Sequence, residues 1–347
     1  MNKKISRIVI AVFAACLIAM LFFSVRANKQ FELDSGHQLV MGTFARAVVI
    51  TRDSGTAKKC IDAALEEIHK VDDLMSDYKD DSEISEVNRD GFERAVHLSQ
   101  STYEVLQRSI KFSKLTEGAF DITVGPLVDL FHSAEKKQVA PTREQIARAK
   151  SKVGFEKLKL NDQNRTVQLA VDGMRLDLGG IAKGYAVDKA VEAMQKCGAI
   201  GGMVDLGGDI RCFGTPLKGK KHWTIGLQKP TSAKNIAARD IMLKLQLTNE
   251  AVATSGDYQQ FVLIEGKRYS HIINRKTGTS TEGLSSVTII ANNATDADAL
   301  ATAVSVMGAE KGLELIESTD DTEAILIPAG KTLKFTKTAN ADQFIGK

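Results

Sequence analysis

The middle of the chain contains the octapeptide Asp177-Leu178-Gly179-Gly180-Ile181-Ala182-Lys183-Gly184, and its opening is repeated in Asp205-Leu206-Gly207-Gly208-Asp209-Ile210-Arg211. Each copy follows a predicted strand. Paired glycines let backbone N–H groups approach an anion, and a helix that starts near Ile181 adds its positive end. Neither turn has the spacing of a Walker loop or of GxGxxG. Two such turns favour a phosphate or nucleotide site, with a structural corner as the alternative for each.

The first turn leads into a predicted helix over 184–196, whereas the second leads into strands. Outside them, apolar residues at helical spacing predict helices over 61–75 and 99–115, Thr142 is a candidate N-cap ahead of Gln145, and a last helix covers 296–307. Strands are predicted at 38–51 with a break at Met41-Gly42-Thr43, 157–161, 166–171, 174–178, 203–206, 223–227, 241–247, 260–264, 287–290 and 324–327. This mixture lacks a regular strand–helix alternation. It predicts one α+β domain with antiparallel sheets and flanking helices rather than a doubly wound parallel sheet.

The N-terminus predicts a membrane segment. Three basic residues, Lys3, Lys4 and Arg7, precede an apolar stretch over 8–25 that approaches the length needed to span a bilayer. The basic residues are therefore expected in the cytoplasm and the rest of the chain, from about residue 26, outside it. Residues 1–27 could be a retained anchor or a cleaved signal, and Cys16 leaves lipidation as a third option. The globular domain is predicted over 28–347.

Composition excludes some functions. The 347 residues include 46 basic and 43 acidic side chains, mixed along the chain, and the net charge of +3 argues against a broad nucleic-acid-binding face. Beyond the N-terminal segment, Cys60, Cys197 and Cys212 are too few for a disulfide framework and are predicted to be buried thiols. The six histidines form no HxxxH pair, which disfavours zinc.

Two segments carry oxygen or aromatic groups that suit ligand binding. The first is Gly118-Ala119-Phe120-Asp121-Ile122-Thr123-Val124-Gly125-Pro126, interpreted either as a core-lining loop or as a shelf for a flat ring system. In the second, Asp298 and Thr302 share one face of a predicted helix. Such oxygen ligands suit magnesium, and the alternative is a solvated aspartate that favours the helix dipole.

Two single residues remain open on sequence grounds. His271 lies in Tyr269-Ser270-His271-Ile272-Ile273-Asn274, an apolar run predicted as a strand, and a histidine there is either a hydrogen-bonded structural residue or a catalyst. Tyr78 follows the first long helix and is either a core aromatic or a ligand contact.

The order of these segments resembles the motif series of the ApbE family. The matching segments are Met41-Gly42-Thr43, Ser76-Asp77-Tyr78, Gly118 to Pro126, Asp177 to Asp188, Asp205 to Arg211, Ala253-Thr254-Ser255-Gly256-Asp257-Tyr258, His271 to Gly278 and Ala297 to Gly308. Together they cover nearly the whole predicted exported part.

The resemblance implies an FAD:protein FMN transferase with an α+β core related to the T-fold, FAD as substrate and Mg²⁺ as cofactor. Gly180, Asp298 and Thr302 would hold Mg²⁺, and His271 would act near the acceptor hydroxyl. The residues implied to contact FAD are Met41, Tyr78, Ala119, Phe120, Asp121, Asp177, Lys183 and Ile272.

The implied acceptor is a threonine or serine in a D-x-x-[TS]-G-A-[TS] motif, in subunits of membrane redox complexes. Such acceptors place the enzyme at the bacterial inner membrane, with its catalytic domain in the periplasm. One departure is Asn274, where the family usually has aspartate, which weakens any specific role for that side chain. The alternatives are an FAD pyrophosphatase that releases FMN and AMP, and a non-catalytic flavin-binding protein.

Overall fold

The computed structural model describes residues 13, 30–217, 219–230, 240–256, 261–330 and 334–346. Apart from Phe13, the predicted membrane segment over 8–25 lies outside the described residues, as does the Asp257-Tyr258 end of one motif. Among the described residues, no helix combines the length and apolar character that crossing a bilayer requires.

Helices flank a large sheet. The helices are α1 (Ser54–Met75), α2 (Glu83–Asp90), α3 (Gln100–Leu115), α4 (Gly125–Lys137), α5 (Arg143–Lys150), α6 (Ala182–Lys196), α7 (Ala294–Met307) and α8 (Ala309–Glu317). The strands are β1 (Phe31–Asp34), β2 (Gln38–Val40), β3 (Thr43–Thr51), β4 (Val96–His97), β5 (Leu158–Asn161), β6 (Thr166–Leu169), β7 (Gly201–Leu206), β8 (Asp209–Gly214), β9 (Trp223–Gln228), β10 (Ile241–Leu247), β11 (Ala251–Gly256), β12 (Phe261–Ile264), β13 (Lys267–Ser270), β14 (Ile273–Asn274), β15 (Thr279–Ser280), β16 (Leu284–Ala291), β17 (Glu323–Pro328) and β18 (Thr336–Lys337).

The main sheet has nine described strands in the order β1-β3-β7-β8-β11-β16-β17-β18, with β2 also paired to β3. All these pairings are antiparallel, for example Ala45 opposite Leu206 and Val252 opposite Ile290. Smaller antiparallel pairs are formed by β9 with β10, β12 with β13, and β14 with β15. The predicted α+β class with antiparallel sheets and flanking helices is therefore confirmed.

The two faces of the main sheet have different covers because side chains alternate along each strand. On β3, Ala47 and Val49 point into a core formed with α1, α6 and α7, whereas Val48 and Ile50 point to the other face. There the hairpin β9–β10 covers the sheet through residues such as Trp223. Each fully buried large apolar side chain contributes about 1.5–3 kcal/mol to folding, so both layers hold the sheet rigidly.

Most predicted elements are present, with instructive differences. Residues 38–51 form a hairpin that turns at Met41 and Gly42, both with positive φ. Thr142 and Gln145 form the predicted capping box at the start of α5. Residues 174–178 are not a strand. The side chain of Asn88 instead bonds both the N–H and the C=O of Leu176, and so replaces a neighbouring strand.

The thiols and the His271 run also depart from the expectations. Cys60 and Cys212 are buried free thiols, as predicted, whereas Cys197 is only half-buried. The run over 269–274 is not one strand: β13 ends at Ser270, His271 lies in a bend, and β14 begins at Ile273.

Candidate active site

The first glycine turn packs against helix α7. A Cβ atom at Gly180 would lie 2.9 Å from Oγ1 of Thr302, so only glycine allows this approach. At Gly184 a Cβ would lie 2.2 Å from the carbonyl oxygen of Ala294, and the Gly184 N–H donates to Oδ2 of Asp298 over 3.1 Å. These contacts bring the turn at Gly180 together with the side chains of Asp298 and Thr302 on α7.

Two buried carboxylates share one lysine beside this contact. Lys183 donates a short hydrogen bond to Asp209 of the second glycine turn, and its Nζ lies 3.6 Å from Oδ1 of Asp298. Asp209 is 2% exposed and Asp298 is 3% exposed, so Asp298 is not a solvated aspartate. Burial and the neighbouring Asp298 raise the pKa of Asp209 to about 7, although Lys183 opposes this shift. When both carboxylates are ionised, the cluster has one more negative than positive group, and a further cation would stabilise that state.

Asp188 holds the N-terminus of α7 in place. Its Oδ1 accepts from the Ala294 N–H and from Arg211, each over about 2.8–2.9 Å, and its Oδ2 accepts from the N–H and hydroxyl of Thr295. A carboxylate that binds the first N–H groups of a helix also favours its dipole. Asp188 therefore fixes the position from which Asp298 projects.

The second glycine turn contacts the turn of the β2–β3 hairpin. Gly207 has a φ of +66°, its N–H donates to the carbonyl of Phe44 over 3.0 Å, and a Cβ there would lie 2.8 Å from Thr43. Met41, at the tip of this hairpin, is partly buried against the main core. The structure thus places Met41 in the hairpin whose second strand contacts the second glycine turn.

Asp177 connects the first turn to the loop over 118–126. Its N–H donates to the carbonyl of Ile122 over 2.8 Å, and its Oδ1 accepts from the Gly179 N–H over 2.8 Å. Burial and the neighbouring Asp77 raise the pKa of Asp177. Arg175 pairs with Asp77 over 2.8 Å, which brings the adjoining Tyr78 close to the turn. Tyr78 is 83% exposed, so it is not a core aromatic and is available to stack on a ligand.

The loop over 118–121 is largely built into the protein interior. Phe120 is 2% exposed and meets Phe112 edge to face, with ring centroids 6.2 Å apart. Its ring is therefore part of the core, and a ligand contact from Phe120 would come from its backbone. The Asp121 carboxylate accepts from the N–H and hydroxyl of Thr123, from the Phe155 N–H and from Arg275. Ala119 is half-buried and lies nearest to solvent.

The His271 segment forms a small hairpin. His271 is exposed and Ile272 is 7% exposed. The Thr281 N–H donates to the Ile272 carbonyl over 2.9 Å and closes the base of the hairpin. At the tip, Oδ1 of Asn274 accepts from the Lys276 N–H over 2.8 Å, a role that an aspartate oxygen performs equally well. Asn274 therefore preserves the turn.

The metal-ligating capacity of the site is modest. Within the part of the chain that the structure describes, no three histidine, cysteine or acidic side chains converge to hold an ion. The predicted magnesium ligands comprise one carboxylate, one hydroxyl and one carbonyl. Magnesium commonly uses one or two carboxylates and completes its octahedron with water and substrate phosphate, so this donor set fits.

Several residues that hold the candidate site together were not predicted from the sequence alone. Asp209 appeared only as a member of the second glycine turn and Asp188 only as the end of a motif, and the bond from Arg275 to Asp121 joins residues 154 positions apart. The one available signal was that both glycine turns contain an acid and a base. If the two turns face each other, a base of one can pair with an acid of the other, as Lys183 does with Asp209.

A separate cavity contains none of these residues. It has a volume of about 710 Å³ and is lined mostly by polar residues of α3 and of the turn between β5 and β6. Its acid, Asp162, accepts from Tyr103 over 2.6 Å and from Gln107 over 2.9 Å. Because these groups already satisfy one another, the stronger candidate for chemistry is the glycine-turn cluster, formed by Gly180, Lys183, Asp209, Asp298 and Thr302.

Known proteins with similar sequences are flavin transferases. The FAD:protein FMN transferase of Haemophilus influenzae is 34% identical over 327 residues, covering 91% of this chain and 91% of that protein. The FAD:protein FMN transferase of Vibrio cholerae is also 34% identical, covering 85% of this chain and 86% of that protein.

Solved structures give the same result. The ApbE protein from Thermotoga maritima matches with a TM-score of 0.80 at 31% identity, covering 92% of this chain and 100% of that one. The flavin transferase ApbE from Vibrio cholerae matches with a TM-score of 0.75 at 32% identity, covering 91% and 99%. The model of the ApbE family matches residues 41–326. With most of its length matched in sequence and in structure, the chain belongs to the ApbE family.

Proposed function

We propose that this flavin transferase of the ApbE family moves the FMN half of FAD to a threonine or serine hydroxyl of a partner protein. The acceptor oxygen forms a bond to the FMN phosphorus, the bond between that phosphorus and the bridging oxygen of the pyrophosphate breaks, and AMP leaves. The product is a phosphoester in which FMN is joined to the acceptor side chain.

The observation that carries this proposal is the convergence of Gly180, Lys183, Asp209, Asp298 and Thr302. Lys183 and the backbone N–H groups of the glycine turn lie at the start of α6. Because the positive end of a helix favours anions, these groups could neutralise charge on the phosphate oxygens of a pyrophosphate bound there. Preorganised charge of this kind is the main source of acceleration in phosphoryl transfer.

Mg²⁺ is the cofactor that we assign to this cluster. The Gly180 carbonyl, the Asp298 carboxylate and the Thr302 hydroxyl would hold it, and the excess acidic group of the Lys183–Asp209–Asp298 cluster supports a cation there. A bound Mg²⁺ supplies charge neutralisation at the pyrophosphate. Lys183 also remains paired to Asp209, which keeps that carboxylate from competing with the substrate phosphate for Mg²⁺.

His271 is assigned as the base. It is exposed at the mouth of a hairpin, where a protein acceptor can reach it, and a histidine near neutral pH can take the hydroxyl proton as the bond to phosphorus forms. The flavin itself is assigned to the surface near Tyr78 and Met41, with Ala119, Phe120, Asp121, Asp177 and Ile272 around it.

The acceptor is proposed to carry a D-x-x-[TS]-G-A-[TS] motif in a subunit of a membrane redox complex. The protein is proposed to act at the inner membrane, on its periplasmic side, because the apolar stretch over 8–25 follows basic residues. Cell fractionation and the mass of the mature protein test this location. Recovery of the unprocessed chain in the cytoplasmic fraction would contradict it.

The function is tested with the full-length protein in mild detergent, incubated with FAD, Mg²⁺ and a peptide that contains the acceptor motif. Covalent flavin on the peptide together with free AMP is the expected result. Free FMN and AMP without labelled peptide would indicate a pyrophosphatase, and unchanged FAD would indicate binding alone. A peptide with alanine in place of the acceptor threonine is the matched control.

A further inference from the structure

The side chain of Arg275 joins two segments of the proposed site. Its NH1 donates to Oδ2 of Asp121 over 2.7 Å, and its NH2 donates to Oε1 of Glu156 over 2.9 Å. The guanidinium also lies over the ring of Phe155, 5.0 Å from its centroid. The Arg275 side chain is 18% exposed, Asp121 is fully buried and Glu156 is 56% exposed.

Gly118 makes room for this arrangement. A Cβ at Gly118 would lie 2.3 Å from the Nε and NH2 atoms of Arg275, so the guanidinium occupies the space that a side chain would fill. The loop that the family resemblance assigns to FAD thus packs directly on the tip of the His271 hairpin. A planar, fork-shaped cation suits such a position, since it can bond two carboxylates at once.

The two segments depend on Arg275 unequally. Without Arg275, Asp121 would keep its bonds from the Thr123 N–H, the Thr123 hydroxyl and the Phe155 N–H. Among the described residues, the hairpin would keep the bond from Lys150 to the Lys276 carbonyl, the packing of Gly278 on Ile146 and the burial of Ile273 in the apolar cluster with α4 and β12. Its tip would lose its ionic contact with the loop, so loss of Arg275 should loosen the hairpin tip and leave the loop in place.

We propose that Arg275 is a positioning residue, which fastens the His271 hairpin to the loop over 118–121 and so sets where His271 stands relative to bound FAD. This inference rests on the proposed function, in which His271 serves the acceptor hydroxyl and the loop serves FAD. Arg275 touches neither reactant in this role. Its removal should slow transfer and spare FAD binding, because the loop keeps its own hydrogen bonds.

The first experiment compares Arg275→Gln and Arg275→Lys in the full-length protein. Misplacement of a catalytic group by about 1 Å can cost a hundredfold in rate, so Arg275→Gln is expected to lower kcat for peptide flavinylation by about tenfold to a hundredfold. The FAD dissociation constant, read from flavin fluorescence, should change by less than about twofold. Arg275→Lys keeps the charge and should restore part of kcat. Arg94→Gln is the matched control, since Arg94 pairs with two carboxylates, Glu86 and Asp90, at the surface.

A second readout does not depend on activity. In Arg275→Gln, hydrogen exchange should accelerate at the Gly278 and Thr281 amides, which bond across the hairpin, and stay slow at the Thr123 amide, which holds the loop. The two ionic contacts of Arg275, with Asp121 and with Glu156, form a clamp between hairpin and loop. If Arg275→Gln does not fold, Glu156→Gln removes the exposed half of this clamp. It should give smaller changes in the same direction.

The outcomes separate the two hypotheses. Absence of transfer by the unaltered protein would refute the proposed function, while the exchange measurement would still test the clamp. Normal transfer by Arg275→Gln with unchanged exchange would overturn the positioning role. A parallel loss of FAD affinity and kcat would overturn it too, because that result would mean that the loop also depends on Arg275.

Discussion

The backbone N–H of Gly184 donates to Oδ2 of Asp298 over 3.1 Å, which bonds the start of α6 to the middle of α7. This bond fixes the position of α6 relative to α7 at the place where the proposed site uses Lys183 from α6 and Asp298 from α7. The other oxygen of Asp298 faces Lys183.

Replacement of Asp298 by asparagine should abolish Mg²⁺-dependent transfer. A metal supplies several kcal/mol of charge stabilisation in the transition state, so loss of a carboxylate ligand is expected to lower kcat/KM by about a hundredfold or more. Transfer assays over a Mg²⁺ titration measure this effect. Asp296→Asn, two residues earlier on the same helix and therefore on a different face, should retain activity because the partners of Asp296 among the described residues are Asn293 and Arg108. Undiminished activity in Asp298→Asn would remove that residue from the site.

His271→Ala should impair transfer much more than FAD binding. General base catalysis contributes about 10²- to 10⁴-fold, and His271 is exposed, so its truncation leaves no cavity in the core. Peptide labelling gives the rate and flavin fluorescence gives the affinity. His37→Ala, which removes an exposed ring packed against Phe44, is the control. Equal losses of rate and affinity would argue for a structural histidine.

Gly184→Ala should force α6 and α7 apart. The new Cβ would lie 2.2 Å from the Ala294 carbonyl oxygen and 2.9 Å from the Asp298 Cβ, and neither is the flexible end of a long side chain. Overpacking of this kind costs about 1–3 kcal/mol in the free energy of unfolding. Urea denaturation measures the cost. Gly55→Ala on α1 meets only Asp53, at 3.4 Å, and should not destabilise the protein. An equally stable Gly184→Ala protein would show that this approach is not tight.

Asp188→Asn should weaken the start of α7. The asparagine amide can replace only one of the two acceptor oxygens, so buried N–H groups at Ala294 and Thr295 would compete for it and Arg211 would lose its partner. Breaking a buried pair typically costs about 3–5 kcal/mol, and denaturation should show a loss of this order. Mg²⁺ should also bind more weakly. Unchanged stability would indicate that α7 is held mainly by its apolar face.

Local patterns carried most of the fold. Helical spacing located α1, α3 and α7, and the Thr142 capping box appeared where its residues predicted it. Helix α4 was missed because its start lies in a segment interpreted as a loop, although Pro126 in the first turn of a helix is a favourable signal. Strand β11 was missed because Ala251–Gly256 is rich in small residues, and its strand state comes from its neighbours β8 and β16.

The proposed site was less predictable than the fold. Asp298 and Thr302 share a helix face, which spacing alone can show. The pairing of Lys183 with Asp209, and of Arg275 with Asp121, depends on how distant segments meet in the folded chain. Sequence periodicity contains no information on that meeting. The buried environment of Phe120 was equally hidden, because the same letters suit a surface shelf or a core-lining loop.

Helix α7 begins at residue 294, so it is synthesised after both glycine turns and the His271 hairpin. A nascent or prematurely terminated product that stops before Ala294 would contain Gly180 and Lys183 but neither Asp298 nor Thr302. It would also leave bare the apolar surface of α6 and β11 that α7 covers. Ligands stabilise only the state that binds them, so the proposed metal and flavin would protect finished molecules but not truncated ones, which would stay open to proteolysis.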